Sequence, residues 1–158
     1  SYLFTGSGSD TILDYQIDRF QVGVSGDASL ETSTTYELSG ALSSIAEYGT
    51  GTDLYIAHGG QLTNGSLTTN RVYAMIPKSK ITRIGDTSVR YSLILDEDTA
   101  NDLTGAYGET VYINEIGMLM KNPTGNAVDQ PMLVCYRNFS DIRKTSDFSL
   151  IFRWTINF

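Results

Sequence analysis

His58 and Cys135 are each the single representative of their residue type, and they are the side chains best suited to a nucleophile–base pair. A serine hydrolase would need His58 as general base and a serine raised on a sharp strand-to-helix turn. The run Gly6-Ser7-Gly8-Ser9 has the wrong spacing for that turn and follows no apolar strand. His58 adjoins Gly59-Gly60 and reads as a turn or edge histidine. Cys135 sits between Val134 and Tyr136 and reads as a packed thiol. A lone cysteine makes neither an intrachain disulfide nor a cysteine-built zinc site.

Oxygen-rich chemistry has one candidate segment. Asp96-Glu97-Asp98-Thr99-Ala100-Asn101-Asp102 gathers the hard ligands that calcium favours. Counted from Asp96, the EF-hand pattern fails at its fifth, sixth and twelfth positions, which hold Ala100, Asn101 and Tyr107. The same residues also read as a solvated loop, or as a turn capped by Asp98 and running to Leu103. No spacing marks two carboxylates as a glycosidase pair. The chain has 10 tyrosines, whose faces could stack on sugars. Tyr48 and Tyr107 fall in loops, whereas Tyr73, Tyr91, Tyr112 and Tyr136 fall in strand-like segments and read as core or interface. Catalysis is therefore not expected, and no cofactor is called for.

Composition points to strands. The 158 residues include 18 Thr, 16 Ser and 15 Gly, against 8 Ala, 6 Glu and 4 Lys. Lys and Arg number 11 against 18 Asp and Glu, a net charge of −7, which lacks the basic field of a nucleic-acid binder. No apolar run approaches the ~20 residues that span a bilayer, and no signal peptide is visible, so no membrane partner is expected.

The elements follow from period two. From Phe148 to Phe158, alternate residues Phe148, Leu150, Phe152, Trp154, Ile156 and Phe158 are apolar, which predicts a long strand with one deeply buried face. Shorter alternations run through Phe20–Val24, Leu54–Ile56, Val72–Ile76, Val89–Leu95 and Met132–Tyr136, separated by Gly, Asn, Asp and Ser. One short helix is expected from Ala41, Leu42, Ile45 and Ala46, with Ser39 as its cap. The fold class is all-β, an antiparallel β-sandwich or jelly roll with at most one short helix. Residues 17–158 form a single domain, and residues 1–16 are a candidate N-terminal arm.

Between Thr110 and Met120 the apolar phase breaks. Val111 and Ile113 share one parity, and Ile116, Met118 and Met120 share the other. A β-bulge at Asn114-Glu115, relieved by Gly117, would restore register. Glu115 would then pair with Arg137, Arg143 or Lys144. Tyr73, Met75, Leu133 and Ile151 are off-parity apolar residues, so a second layer or a partner must cover them. Together with Arg137, Arg143 and Lys144 they are the interface candidates.

Three pieces in order carry a resemblance. They are Ile17-Asp18-Arg19-Phe20-Gln21-Val22-Gly23-Val24-Ser25-Gly26, then Ile113-Asn114-Glu115-Ile116-Gly117-Met118-Leu119, then Tyr136 to Thr145 followed by Phe152-Arg153-Trp154-Thr155-Ile156-Asn157-Phe158. The set resembles small β-sandwich structural proteins of tailed bacteriophages and is similar to the attachment region of collar-type tail-fibre proteins. Met118 departs from the leucine expected there. Coiled-coil or β-helical shaft sequence is absent from the chain, so the expectation is of the module alone. The resemblance implies a non-enzymatic virion component at the particle surface, self-associating as a homotrimer and bound to a neighbouring capsid or tail protein. It would decorate or cement the capsid, or act as a tail, collar or baseplate adaptor. A glycan-binding module is the further alternative.

Overall fold

The computed structural model describes residues 17–26, 38, 40–42, 45–49, 54–57, 62–63, 66–67, 71–120 and 131–157. Five strands form the larger sheet: β1 (Ile17–Gly23), β2 (Leu54–Ala57), β5 (Arg71–Met75), β8 (Ile113–Met120) and β9 (Met132–Ile142). Their order is β2-β5-β1-β8-β9, and all pairs are antiparallel. A second sheet has the order β10-β7-β6, from β6 (Ile81–Arg83), β7 (Ser88–Leu95) and β10 (Leu150–Asn157). The strands β3 (Leu62–Thr63) and β4 (Ser66–Leu67) pair with each other.

Alternation explains how the two sheets meet. Tyr91, Leu93 and Leu95 point one way from β7 and are buried, against Phe20, Val22, Val72, Ile116 and Met118 of the larger sheet. The molecule is thus an antiparallel β-sandwich. Leu150, Phe152, Trp154 and Ile156 of β10 face the same core but are only partly buried. This corrects the expected deep burial: among the described strands β10 is hydrogen-bonded to β7 alone, and at this sheet edge its side chains are half-covered. Phe148 lies outside the strand and is exposed, and Phe158 lies outside the described residues.

A second apolar layer lies on the outer face of the larger sheet. Leu38, Tyr73, Leu119 and Leu133 form it, with Ala41 and Tyr136 packed alongside. The buried Gln21 amide secures that layer. Its Nε2 donates to Val72 O at 2.9 Å, and its Oε1 accepts from Leu38 N–H at 2.9 Å. Gly117 makes room for it, since a Cβ there would stand 2.7 Å from Leu133 Cδ1 and 3.0 Å from Leu38 Cδ2. With both faces covered, β1 and β8 lose the burial alternation of a one-sided strand.

The helix expectation needs correction. The helical turn α1 covers only Ile45–Tyr48, while Ala41 bridges Gly23 and Leu42 N–H donates to Val22 O at 3.1 Å. Beyond Phe20, β1 no longer pairs with β5, and its open backbone groups draw residues 40–42 into an extended course. Ser39 lies outside the described residues.

The bulge is also placed differently. Pairing does shift between Ile113 and Glu115, but Ile113 faces Ile142 and Glu115 faces Asn138. Four steps of β9 therefore oppose two of β8, so the extra residues arch out of β9 rather than β8. A second shift leaves Val134 as the extra residue, again in β9.

Candidate functional site

The arch of β9 borders a concavity. Arg137 to Ile142 form one wall and Ile151 to Thr155 of β10 the other, around a groove of about 880 Å³. Ile116, Phe139, Phe152 and Trp154 supply its apolar lining. The Phe139 and Phe152 rings meet across it, with centroids 5.4 Å apart and planes tilted by 41°. Asn114 Nδ2 donates to Asp141 Oδ1 at 3.2 Å, and Asn138 Nδ2 donates to Gly26 O at 3.4 Å, so the arch is held from behind. Arg137 and Arg153 are exposed and take part in no ion pair among the described residues. Both walls are terminal strands of their sheets, so the groove runs between two edges that no other described strand pairs.

The acidic loop is organised from within. Lys144 is 2% exposed. Its Nζ donates to Asn101 Oδ1 at 2.6 Å and to Thr145 O at 2.9 Å, and lies 5.5 Å from the centroid of the Phe148 ring. Burial pulls its pKa below the ordinary lysine value, while Asp96, Glu97, Asp102 and Asp98 act against that shift. The strand connection is tied in by Asp102 N–H donating to Lys144 O at 2.9 Å. The turn is capped by Asp96 rather than Asp98: its Oδ1 accepts from Asp98 N–H and from Thr99 Oγ1, each at 2.8 Å. No group of three His, Cys, Asp or Glu able to hold a metal occurs among the described residues.

Glu115 is fully buried and pairs with none of the three basic residues expected. Its Oε2 accepts from Ser25 N–H at 2.7 Å, and its Oε1 accepts from the Tyr136 hydroxyl at 3.3 Å. Cys135 is half-buried, and burial pushes its thiol above the ordinary value, which disfavours the nucleophilic thiolate. His58 and residues 1–16 lie outside the described residues.

The interface candidates divide sharply. Arg137 and Ile151 line the groove, with Ile151 49% exposed, and Arg143 is exposed just beyond β9. Tyr73 and Leu133 are buried in the outer layer of their own chain, Met75 is half-covered, and Lys144 is committed to the acidic loop. Tyr73 and Leu133 were expected at a surface because alternation assumes one covered face, which the second layer corrects; Lys144 was expected as a basic anchor, and its burial removes it from the surface. Arg153 was missed, although its parity in β10 already set it on the face opposite Trp154. Neither a family model, nor a curated protein, nor a solved structure matches the chain.

Proposed function

We propose that the protein is a non-enzymatic structural component of a tailed-phage virion, a self-associating β-sandwich that decorates or cements the capsid. The observation that carries the contact role is the groove bordered by two strand edges that no other described strand pairs. Unpaired edges are templates for another chain, and exposed edges are otherwise a hazard that folds suppress. The phage setting is supported by the ordered sequence motifs. Immunogold labelling of purified particles with antibody to this chain tests the reading. Gold over the head is the expected result; gold confined to the neck or tail would make the protein an adaptor instead; a dissociated-particle blot lacking the chain would overturn the virion setting.

One observation favours glycan binding as a second reading. Tyr107 is 97% exposed at the tip of a turn closed by Gly108 N–H to Gly105 O and by Gly105 N–H to Glu109 O. An aromatic ring so presented can stack on a sugar. Binding on a glycan array that Tyr107→Ala abolishes would support that role, and unaltered binding by the variant would remove it.

A further inference from the structure

We propose that the groove between β9 and β10 receives an extended segment of a neighbouring protein, added as a strand to the edge of β10 that no described strand pairs, with acidic side chains on the Arg153 face and apolar ones over Phe152 and Trp154. The proposal deepens the contact role above and rests on it for the partner being a protein of the same particle.

Backbone complementarity comes first. β10 is paired in full register with β7 on one side, from Leu150 with Leu95 to Asn157 with Ser88, and with no described strand on the other. The wall Ile151–Thr155 offers five residues, roughly 17 Å of edge at about 3.3 Å per residue. A segment of about that length satisfies the edge through main-chain hydrogen bonds.

Side-chain parity then sets the pattern of the occupant. Along β10, Ile151, Arg153 and Thr155 are exposed, and Phe152 and Trp154 turn toward the core. An added strand continues this pleat, so its residues alternate between the Arg153 face and the aromatic face. Charge selects which polar residue is used. Arg137 and Arg153 stand against a single carboxylate in the groove, Asp141, whose Oδ1 is already engaged by Asn114. The groove is thus locally cationic in a chain of net charge −7. Pairing β10 with its own mate about a two-fold axis at Arg153, the middle of the wall, sets the two guanidinium groups opposite each other, which disfavours a second copy in that register.

Trp154 is the only tryptophan and lines the groove, so its fluorescence reports occupancy. The probe is the peptide acetyl-Thr-Val-Glu-Val-Glu-Val-Thr-amide, titrated into the full chain. The expected result is a saturable change that weakens with added salt and weakens roughly tenfold with Arg153→Glu or Arg137→Glu. A peptide with Lys in place of Glu should not bind, nor should one N-methylated at alternate residues. Both arginines are exposed, so the variants should keep the wild-type thermal midpoint. Absence of a change up to millimolar peptide, equal binding of the Lys peptide, or indifference to N-methylation would overturn the proposal. Self-association by sedimentation that Arg153→Glu abolishes would also overturn it, in favour of a second copy. Peptide binding without particle labelling would leave the groove assignment intact and remove the virion setting; labelling without peptide binding would do the reverse.

Discussion

Lys144 shows how one side chain can change the reading of a whole loop. Four carboxylates in seven residues invite an external cation, yet the ammonium of Lys144 lies buried among them, bonded to Asn101 and Thr145. Replacing it by methionine keeps much of the volume but leaves two oxygens without their donor and the carboxylates without their counter-charge. Lys144→Met should cost about 1–3 kcal/mol in urea denaturation, and the cost should shrink in high salt as repulsion is screened. An equal cost at low and high salt would assign the effect to packing alone. Titration offers a second check at this scale. Burial raises the Cys135 thiol and the Tyr91 and Tyr48 hydroxyls above their ordinary values. Groups so shifted contribute stability that is complete below their unfolded values, about 8.5 for the thiol and about 10 for the phenols, and lost as pH rises through the folded ones. The lowered Lys144 acts in the opposite direction, because the unfolded state then holds the extra proton. With three groups against one, the urea midpoint should fall on going from neutral pH to about pH 11, and Cys135→Ala should flatten the first part of that fall. A profile that is flat in the wild type would contradict these burial assignments.

At the scale of elements, period two was a sound guide wherever one face is covered. The strands around Val89–Leu95 and Leu150–Ile156 were legible because polar and apolar residues alternate there and β7 and β10 each have an outward face. The same rule misled in β8, where burial is nearly continuous from Ile113 to Met120. There both faces are covered, Ile116 and Met118 by the core and Leu119 by the outer layer, and the register shifts place their extra residues in the neighbouring strand β9, which is visible only once the strands are paired. The short strand β6 escaped notice because three residues, Ile81–Arg83, carry too little alternation to register. For the same reason the groove was only half legible: Arg137 and Ile151 stood out, but the arch of β9 that places Arg137 on the wall facing Ile151 and Arg153 depends on register. The outer layer has its own test. Gly117→Ala places a methyl group against Leu133 and Leu38 and should cost about 1–3 kcal/mol by overpacking. Combining it with Leu133→Ala should recover part of the loss, since the larger residue is what the new methyl meets. Strict additivity of the two costs would show that Leu133 is not the obstacle.

Among the described residues five strands pack on three, and the terminal strands β9 and β10 border a groove lined by Arg137 and Arg153 in a chain of net charge −7. Self-association has lost two of its expected anchors, since Tyr73 and Leu133 are covered by the chain's own Leu38 layer. Among the described residues, the exposed large apolar side chains that the proposed self-association can use are Ile84, Tyr107, Tyr112, Phe148 and Ile151. Sedimentation at micromolar concentration should show a trimer, and a monomer at every concentration would leave contact with a different protein as the only association. The central claim is that this groove is where the protein holds its neighbour. It is tested most directly by placing a photo-cross-linking side chain at position 151, assembling that variant into particles, irradiating them and identifying the adducts by mass spectrometry. The account predicts cross-links to one extended segment, rich in Asp or Glu, of another virion protein. Cross-links confined to other copies of this chain, or an irradiated particle with no adduct at position 151, would contradict it.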